Sequence, residues 1–488
     1  MRIRTDGGDK NPTRPLPGRS TAGRSPTARP LAAAGTESLL LGRDGGGGVS
    51  LSLDRLVGDD ADVLADRDFR MLLLASLISP MGASVVSPVV ESLTGPYGVS
   101  TAEAALLLSA FTAPGIVLIP LSGVLADRYG RKPVLVSGLA LFGLAGVALT
   151  LTTDFRVALG LRLLQGVGYT GIGPILITAT GDLFSGARES AAQGVRFTAV
   201  GASLTVFPFL AGLLVAFAWQ YPFALYAAAL PVAAVVWLRF EEPAALGQGD
   251  TADGDASATD GDAAGSGGER GDGRGGVRTL LALASDPRVA ATLVGRAVPG
   301  FLWFGFLTYN SIVVVRLLGG TPSAAGALVA VASVSSAVAT TQAGRITARF
   351  GRPAPTFAAL VVAAGGLAGL ALAPSVPVAL AAGVPVGAGF SVSLTLYRSA
   401  LTGLASDDTR GGLVSLGESI GRLGSTGAPV AMGAAVALLA DAAGYAAAVR
   451  TVSVAVAVGV VAVGGTLLLV GDMGVDADGE PTATAAND

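Results

Sequence analysis

The charges that could do chemistry in this chain are few and oddly placed. The stretch "GVLADRYGRKP" at 123–133 sets Asp127, Arg128, Arg131 and Lys132 between two long apolar runs. Arg162, Arg296, Glu418 and Arg422 fall inside apolar runs, and Glu91 ends one. A charge in such surroundings is expensive and marks a pathway or a partner. With no His and no Cys, imidazole relays, thiolate metal sites and disulfides are excluded, so any proton must be carried by a carboxylate. Gln165 lies one turn from Arg162 and offers it a hydrogen bond; the alternative for Arg162 is to snorkel to the outer leaflet. Glu418 and Arg422 are four apart, share a helix face and can pair, either as a self-neutralised couple or with Glu418 as a protonatable acid. Arg296 reaches a cavity or snorkels. Glu91 is a titrating acid or an exposed rim carboxylate. Asn310, with Tyr169, Trp303, Phe304 and Tyr309, lines a cavity for an amphiphilic ligand or, for the aromatics, faces lipid. Asp182 and Arg188, close together in "GDLFSGARES", form a network.

The elements that must hold these residues are legible in the composition. The 488 residues are 51% hydrophobic and only 14% charged, with a mean hydropathy of +0.63. A soluble domain carries roughly 25% charged residues, so this chain cannot cover itself with a solvated surface. Apolar runs at about 71–90, 103–125, 133–152, 157–180, 196–217 and 222–238 precede an acidic, Gly-rich stretch. Runs at about 289–315, 323–344, 355–373, 376–402, 412–440 and 443–470 follow it. Each is about the 20 residues a membrane helix needs, which predicts an all-α integral membrane fold of twelve transmembrane helices. The domain plan is a disordered tail over 1–66, a six-helix bundle over 67–240, a disordered linker over 241–286, a second bundle over 287–472 and a disordered tail over 473–488. The first long apolar run begins near Met71, so no cleaved secretory signal is expected. Cytoplasmic loops carry the Lys and Arg excess, and here the excess falls on the 2–3, 4–5, 6–7, 8–9 and 10–11 connections. Both termini are therefore expected in the cytoplasm. The net charge of −3 gives no sign of nucleic-acid binding.

The second half echoes the first. "GVLADRYGR" at 123–131 aligns with "GRITARFGR" at 344–352, an offset of 221 residues. The same offset carries Gly166 and Gly168 onto Gly387 and Gly389, and Pro208 and Gly212 onto Pro429 and Gly433. Two parallel six-helix halves related along the membrane normal form a known transporter architecture, with the substrate site at mid-depth between them. In the turn itself, Gly130 is expected to take the positive φ of a tight turn, and Gly123 to let helices approach closely.

"GVLADRYGRKP" resembles the loop 2–3 signature of the major facilitator superfamily, and "LRLLQGVGYTG" at 161–171 resembles the fourth-helix motif of its drug:proton antiporters. The resemblance covers roughly 67–470. It implies two pseudo-symmetric six-helix bundles that alternate between inward- and outward-facing states. It also implies that Gly123, Asp127, Arg128, Gly130, Arg131 and Lys132 form a gating loop, with Asp127 latching onto the eleventh helix near Gly412, where the helix dipole favours a carboxylate. Without that role, Asp127 is a local partner for Arg131. Gly344, Arg349, Gly351 and Arg352 form the second gating loop, but Ala348 stands where the Asp would be, so gating should be asymmetric. Arg162 becomes a coupling or substrate-facing residue, Glu418 an acid or an arm of the latch, and Asp182 with Arg188 a cytoplasmic network. The fifth-helix antiporter motif departs from its pattern, reading "FPFLAG" with Phe207 in place of the first Gly.

The function expected is proton-coupled efflux of small hydrophobic or amphiphilic compounds across the plasma membrane. The chain would act as a monomer in the lipid bilayer, with no cofactor or metal and the proton gradient as its energy source. Alternatives are a symporter importing a small metabolite or organic anion, and a non-transporting membrane receptor. No P-loop, metal cluster or nucleophile elbow occurs, so an enzyme is not expected.

Overall fold

The computed structural model describes residues 61–242, 283–404 and 410–471, and among these it is all helical. The expected tail at 473–488, most of the expected linker and most of the N-terminal tail lie outside the described residues. At their margins the expected boundaries shift. Ala61–Ala65 is helical, Asp66 caps the first membrane helix by accepting from the Phe69 amide at 2.8 Å, and Asp286 caps the seventh.

The first half comprises α1 (Arg67–Tyr97), α2 (Thr101–Tyr129), α3 (Arg131–Leu151), α4 (Phe155–Thr170 and Gly173–Leu183), α5 (Gly186–Leu214) and α6 (Tyr221–Arg239). The second comprises α7 (Pro287–Leu317), α8 (Pro322–Thr340), α9 (Pro353–Ala371), α10 (Val376–Gly403), α11 (Arg410–Ala443) and α12 (Tyr445–Gly471). All except α4 are single stretches long and apolar enough to cross a bilayer. α4 is broken because Pro174 has no amide to give the Thr170 carbonyl and its ring collides there, so the chain turns at Gly171–Ile172 and restarts at Gly173. α8 also stops short, and the short helix Ala343–Phe350 carries the chain towards α9.

The repeat holds at the level of atoms. A Cβ on Gly166 would strike the Phe111 carbonyl, and one on Gly387 would strike the Ala332 carbonyl. A Cβ on Gly168 would meet Gly138 O and Phe142 N; one on Gly389 would meet Ala359 O and Ala363 N. All these partners differ by the same 221 residues. Small residues let backbones approach in a bilayer, where packing rather than hydrophobicity drives helix association. Gly130 and Gly351 are likewise equivalent, with φ of 94° and 71°. Each ends a helix in a conformation that only glycine adopts without strain. At Gly123, by contrast, nothing lies within 4 Å of a Cβ, so the close approach expected there is not made. One face of the inner part of α2 is uncovered, with Val117, Val124 and Tyr129 more than 60% exposed.

Candidate functional site

At the basic-loop end, the 2–3 connection is a local network. Arg131 Nη1 donates to Asp127 Oδ1 at 2.5 Å and its Nε to Asp182 Oδ2 at 3.0 Å. The Glu242 carboxylate, at the end of the first half, accepts from the backbone amides of Arg131 and Lys132, an anion seated on the N-terminus of α3. Arg128 lies over the Tyr129 ring at 5.4 Å, and Lys132 over Trp237 at 5.5 Å. Asp182 thus belongs to Arg131 and not, as expected, to Arg188, which stacks on Phe184 at 5.4 Å. Arg188 sits beyond the turn that ends α4, whereas Arg131 reaches Asp182 directly from α3. Among the described residues the second loop has no such core: Arg349 stacks on its neighbour Phe350 at 5.3 Å, Arg352 lies beside Gly403, and nothing lies near a Cβ on Gly344.

Arg162 is fully buried inside the first half, so it neither snorkels nor faces the space between halves. Its Nη2 donates to the Gly82 carbonyl at 2.7 Å and its Nε to the Leu107 carbonyl at 2.9 Å. Nη1 donates to Gln165 Oε1 at 2.5 Å and Tyr226 Oη at 3.2 Å. The guanidinium also lies 4.7 Å from the Phe111 ring centroid. One planar fork therefore ties α1, α2, α4 and α6 together with no carboxylate partner in that set.

Across the second half, Glu418 does not pair with Arg422 as their spacing suggested. Its Oε1 accepts from Arg296 Nη2 at 3.0 Å and from Arg398 Nε at 2.8 Å, joining α7, α10 and α11. Arg422 instead crosses to the first half, where its Nη2 donates to Tyr169 Oη at 3.3 Å and its plane lies 5.0 Å over the ring. Arg398 carries no motif and sits in the apolar run "SVSLTLYRSA"; its only signal was that it is charged at all. Arg296 is nearly buried, so removing its carboxylate should cost about 3 kcal/mol, the range for breaking a buried pair. Glu418→Gln is expected to lower the melting temperature in detergent by several degrees. Adding Arg296→Gln should restore part of it, and a double variant no better than the single one would contradict the pairing.

The bonds joining the halves run from the rim opposite the basic loops down to the Arg422–Tyr169 contact. At the rim, Glu91 faces Arg316 at 3.7 Å, and Thr101 donates to Glu91 and accepts from Arg316. Arg316 also lies 3.9 Å from the Tyr445 ring centroid. Glu91 is therefore neither an isolated acid nor an exposed rim carboxylate; it is a part-buried half of a cross-half pair. Deeper, Asn310 Nδ2 donates to Ser87 Oγ at 2.7 Å, and Ser87 donates to the Leu307 carbonyl at 2.7 Å. Thr112 and Thr426 hydroxyls meet at 2.8 Å. Gly212 backs onto Pro322, and Gly326 onto Pro208. Asn310 thus closes the interface, and Trp303 stacks on Phe390 at 4.4 Å inside the second half, so neither faces lipid. These bonds close the outer end; among the described residues no hydrogen bond or ion pair joins the halves at the basic-loop end, where Asp127 is 68% exposed.

Residues 72–429 match the family profile of the Major Facilitator Superfamily. The chain is 32% identical over 79 residues to a bacillibactin exporter of Bacillus subtilis, covering 16% of this chain and 20% of that one. It is 36% identical over 109 residues to a 4-hydroxybenzoate transporter of Pseudomonas aeruginosa, covering 22% and 24%. These matches span about a quarter or less of the curated relatives' length. A bacterial homologue of the human lysosomal transporter Spinster, crystallised inward-facing and unoccupied, superposes with a TM-score of 0.66 over 85% of this chain and 97% of its own, at 18% identity.

Proposed function

The chain belongs to the Major Facilitator Superfamily, and on that premise we propose that it is a secondary active transporter that exports small amphiphilic compounds from the cell in exchange for protons. The observation that carries alternating access is the one-ended closure. Two pseudo-symmetric halves are bonded from the outer rim to mid-depth, and among the described residues no bond joins them beyond that. A site near Tyr169 and Arg422 is then reachable from the cytoplasm, and rocking the halves would transfer it to the other face. The export direction is supported by the fourth-helix stretch containing Arg162 and Gln165 and by the relationship to an exporter. In the opposite state the 2–3 loop is the inner latch, with Asp127 turning from Arg131 to the start of α11. The protein would act as a monomer in the plasma membrane.

Proteoliposome counterflow with a panel of substrates, run with and without a pH gradient, tests this. Export coupled to protons requires that an imposed inward proton gradient expels substrate from right-side-out vesicles. Accumulation would instead establish import by symport, the second reading, which the relationship to a 4-hydroxybenzoate transporter favours.

The outer closure gives a further expected result. The Glu91–Arg316 pair is part-exposed and worth about 1 kcal/mol, a shift of roughly fivefold in population. Glu91→Gln should therefore move the protein towards its outward-open state. Because the chain has no Cys, spin labels on cysteines placed at Val99 and Ala446 would be the only labels present. Their distance distribution should gain a longer component in the variant. An unchanged distribution would remove Glu91 from the outer closure.

A further inference from the structure

The space between the halves towards the basic-loop end holds more positive charge than topology requires. Arg196 on α5 is only 4% exposed; its Nε donates to Gln193 Oε1 at 2.9 Å and its guanidinium lies 4.5 Å from the Phe197 ring centroid. Its Nη2 is buried with no hydrogen-bond partner among the described residues. Arg398 on α10, in the other half, lies within electrostatic reach of it. Arg398 is solvent-accessible and shares the single carboxylate of Glu418 with Arg296. Arg422, one turn along α11 from Glu418, has the Tyr169 hydroxyl and ring as its hydrogen-bond and ring partners among the described residues. Three guanidinium groups, those of Arg296, Arg398 and Arg422, thus act on one carboxylate, and Arg196 adds a fourth cation without one. The positive-inside tendency accounts for Arg in loops, but not for a buried N–H left unpaired opposite a second cation. An unsatisfied buried donor costs free energy, and like charges facing across a low-dielectric cleft repel while focusing potential on small anions.

We propose that the transported compound carries an oxyanion, such as a carboxylate, that bridges Arg196 and Arg398 between the two halves while its apolar body lies against Tyr169 and Phe197. This rests on the transporter reading above and adds the charge of the substrate. The anion satisfies the free Nη2 of Arg196 with a charge-assisted bond and removes the repulsion that holds the inner ends of α5 and α10 apart. Occupancy is thereby linked to closing of the basic-loop end.

The test uses three isosteric probes: 1-naphthoate, 1-naphthamide and 1-naphthylmethylammonium. Binding is measured by equilibrium dialysis against the full chain in phosphatidylcholine nanodiscs, with protein-free nanodiscs as reference. The expected order is naphthoate roughly tenfold tighter than the amide, with the ammonium weakest. Arg398→Gln, at an accessible position, should erase the preference for naphthoate over naphthamide, while Arg398→Lys keeps most of it. Arg196→Gln should act in the same direction, with Arg196→Lys as the variant that keeps the charge. Equal binding of the three probes overturns the proposal. So does preference for the ammonium, absence of saturable naphthoate binding, or an Arg398→Gln variant that keeps the naphthoate preference. Counterflow of naphthoate is a separate measurement. If it is absent while the anion preference and its loss in Arg398→Gln persist, the anion site stands and the transport reading falls.

Discussion

Arg162→Leu should yield little monodisperse protein, with whatever survives melting far below the parent. The side chain is fully buried and donates to two backbone carbonyls, an amide oxygen and a phenol from four helices. Leucine leaves each acceptor without its donor in a site that water does not reach, at a cost of about 1–3 kcal/mol per group. Even with partial relaxation, the loss should be at least about 3 kcal/mol, comparable to the whole margin many domains possess. Lysine keeps the charge but has no planar fork, so Arg162→Lys should fold with an intermediate melting point. The resemblance to antiporters assigned Arg162 to coupling or substrate contact, whereas its geometry makes it a tie between helices. Folded Arg162→Lys should accordingly transport with nearly unchanged KM. A stable Arg162→Leu variant, or a folded lysine variant with KM raised tenfold, would reverse that assignment.

Asp127→Asn should do the opposite, leaving the melting temperature within a few degrees of the parent while cutting initial transport rates roughly tenfold. In this conformation Asp127 is 68% exposed and, among the described residues, bonded only to Arg131, four residues on. Such exposed i,i+4 pairs contribute about 0.3–0.5 kcal/mol, so its loss barely touches this conformation. The second loop, with Ala348 in the equivalent place, shows that a turn of this shape forms without the acid. If Asp127 is used in the other conformation, at the dipole of α11, its removal costs that conformation alone. A penalty of about 1.4 kcal/mol on one side of the cycle is a factor of ten in rate. Proteoliposome initial rates measure it, and undiminished transport would leave Asp127 as no more than a partner for Arg131.

The parts of this protein that the sequence made legible are those that depend on repetition along the chain. The offset of 221 residues, read from Gly, Pro and Arg positions, survives as equivalent backbone contacts at Gly166 and Gly387 and at Gly168 and Gly389. Gly130 takes its positive φ as expected, and Gln165 bonds Arg162. The failures concern long side chains with a choice of partners. Spacing paired Glu418 with Arg422, but Arg296 and Arg398 approach Glu418 from two other helices, and Arg422 swings to Tyr169 in the opposite half. Asp182 went to Arg131 for the same reason. Arg398 and Glu242 were missed because a lone charge in an apolar run, or just beyond one, matches no motif.

Hydropathy, basic-loop bias and the internal repeat are properties of the chain in one dimension, and by themselves they determined a twelve-helix membrane bundle in two related halves. The family was indicated by the resemblance of the loop at 123–133 to a known signature, and the profile match over residues 72–429 shows it. The tertiary structure alone decided which charges meet. A guanidinium on a flexible stem reaches several ångströms in any direction its rotamers allow, so its partner is set by the helix that happens to face it. In this fold that choice buries Arg162 as a tie, closes the outer rim through Glu91 and Arg316, and leaves Arg196 Nη2 buried without a partner among the described residues.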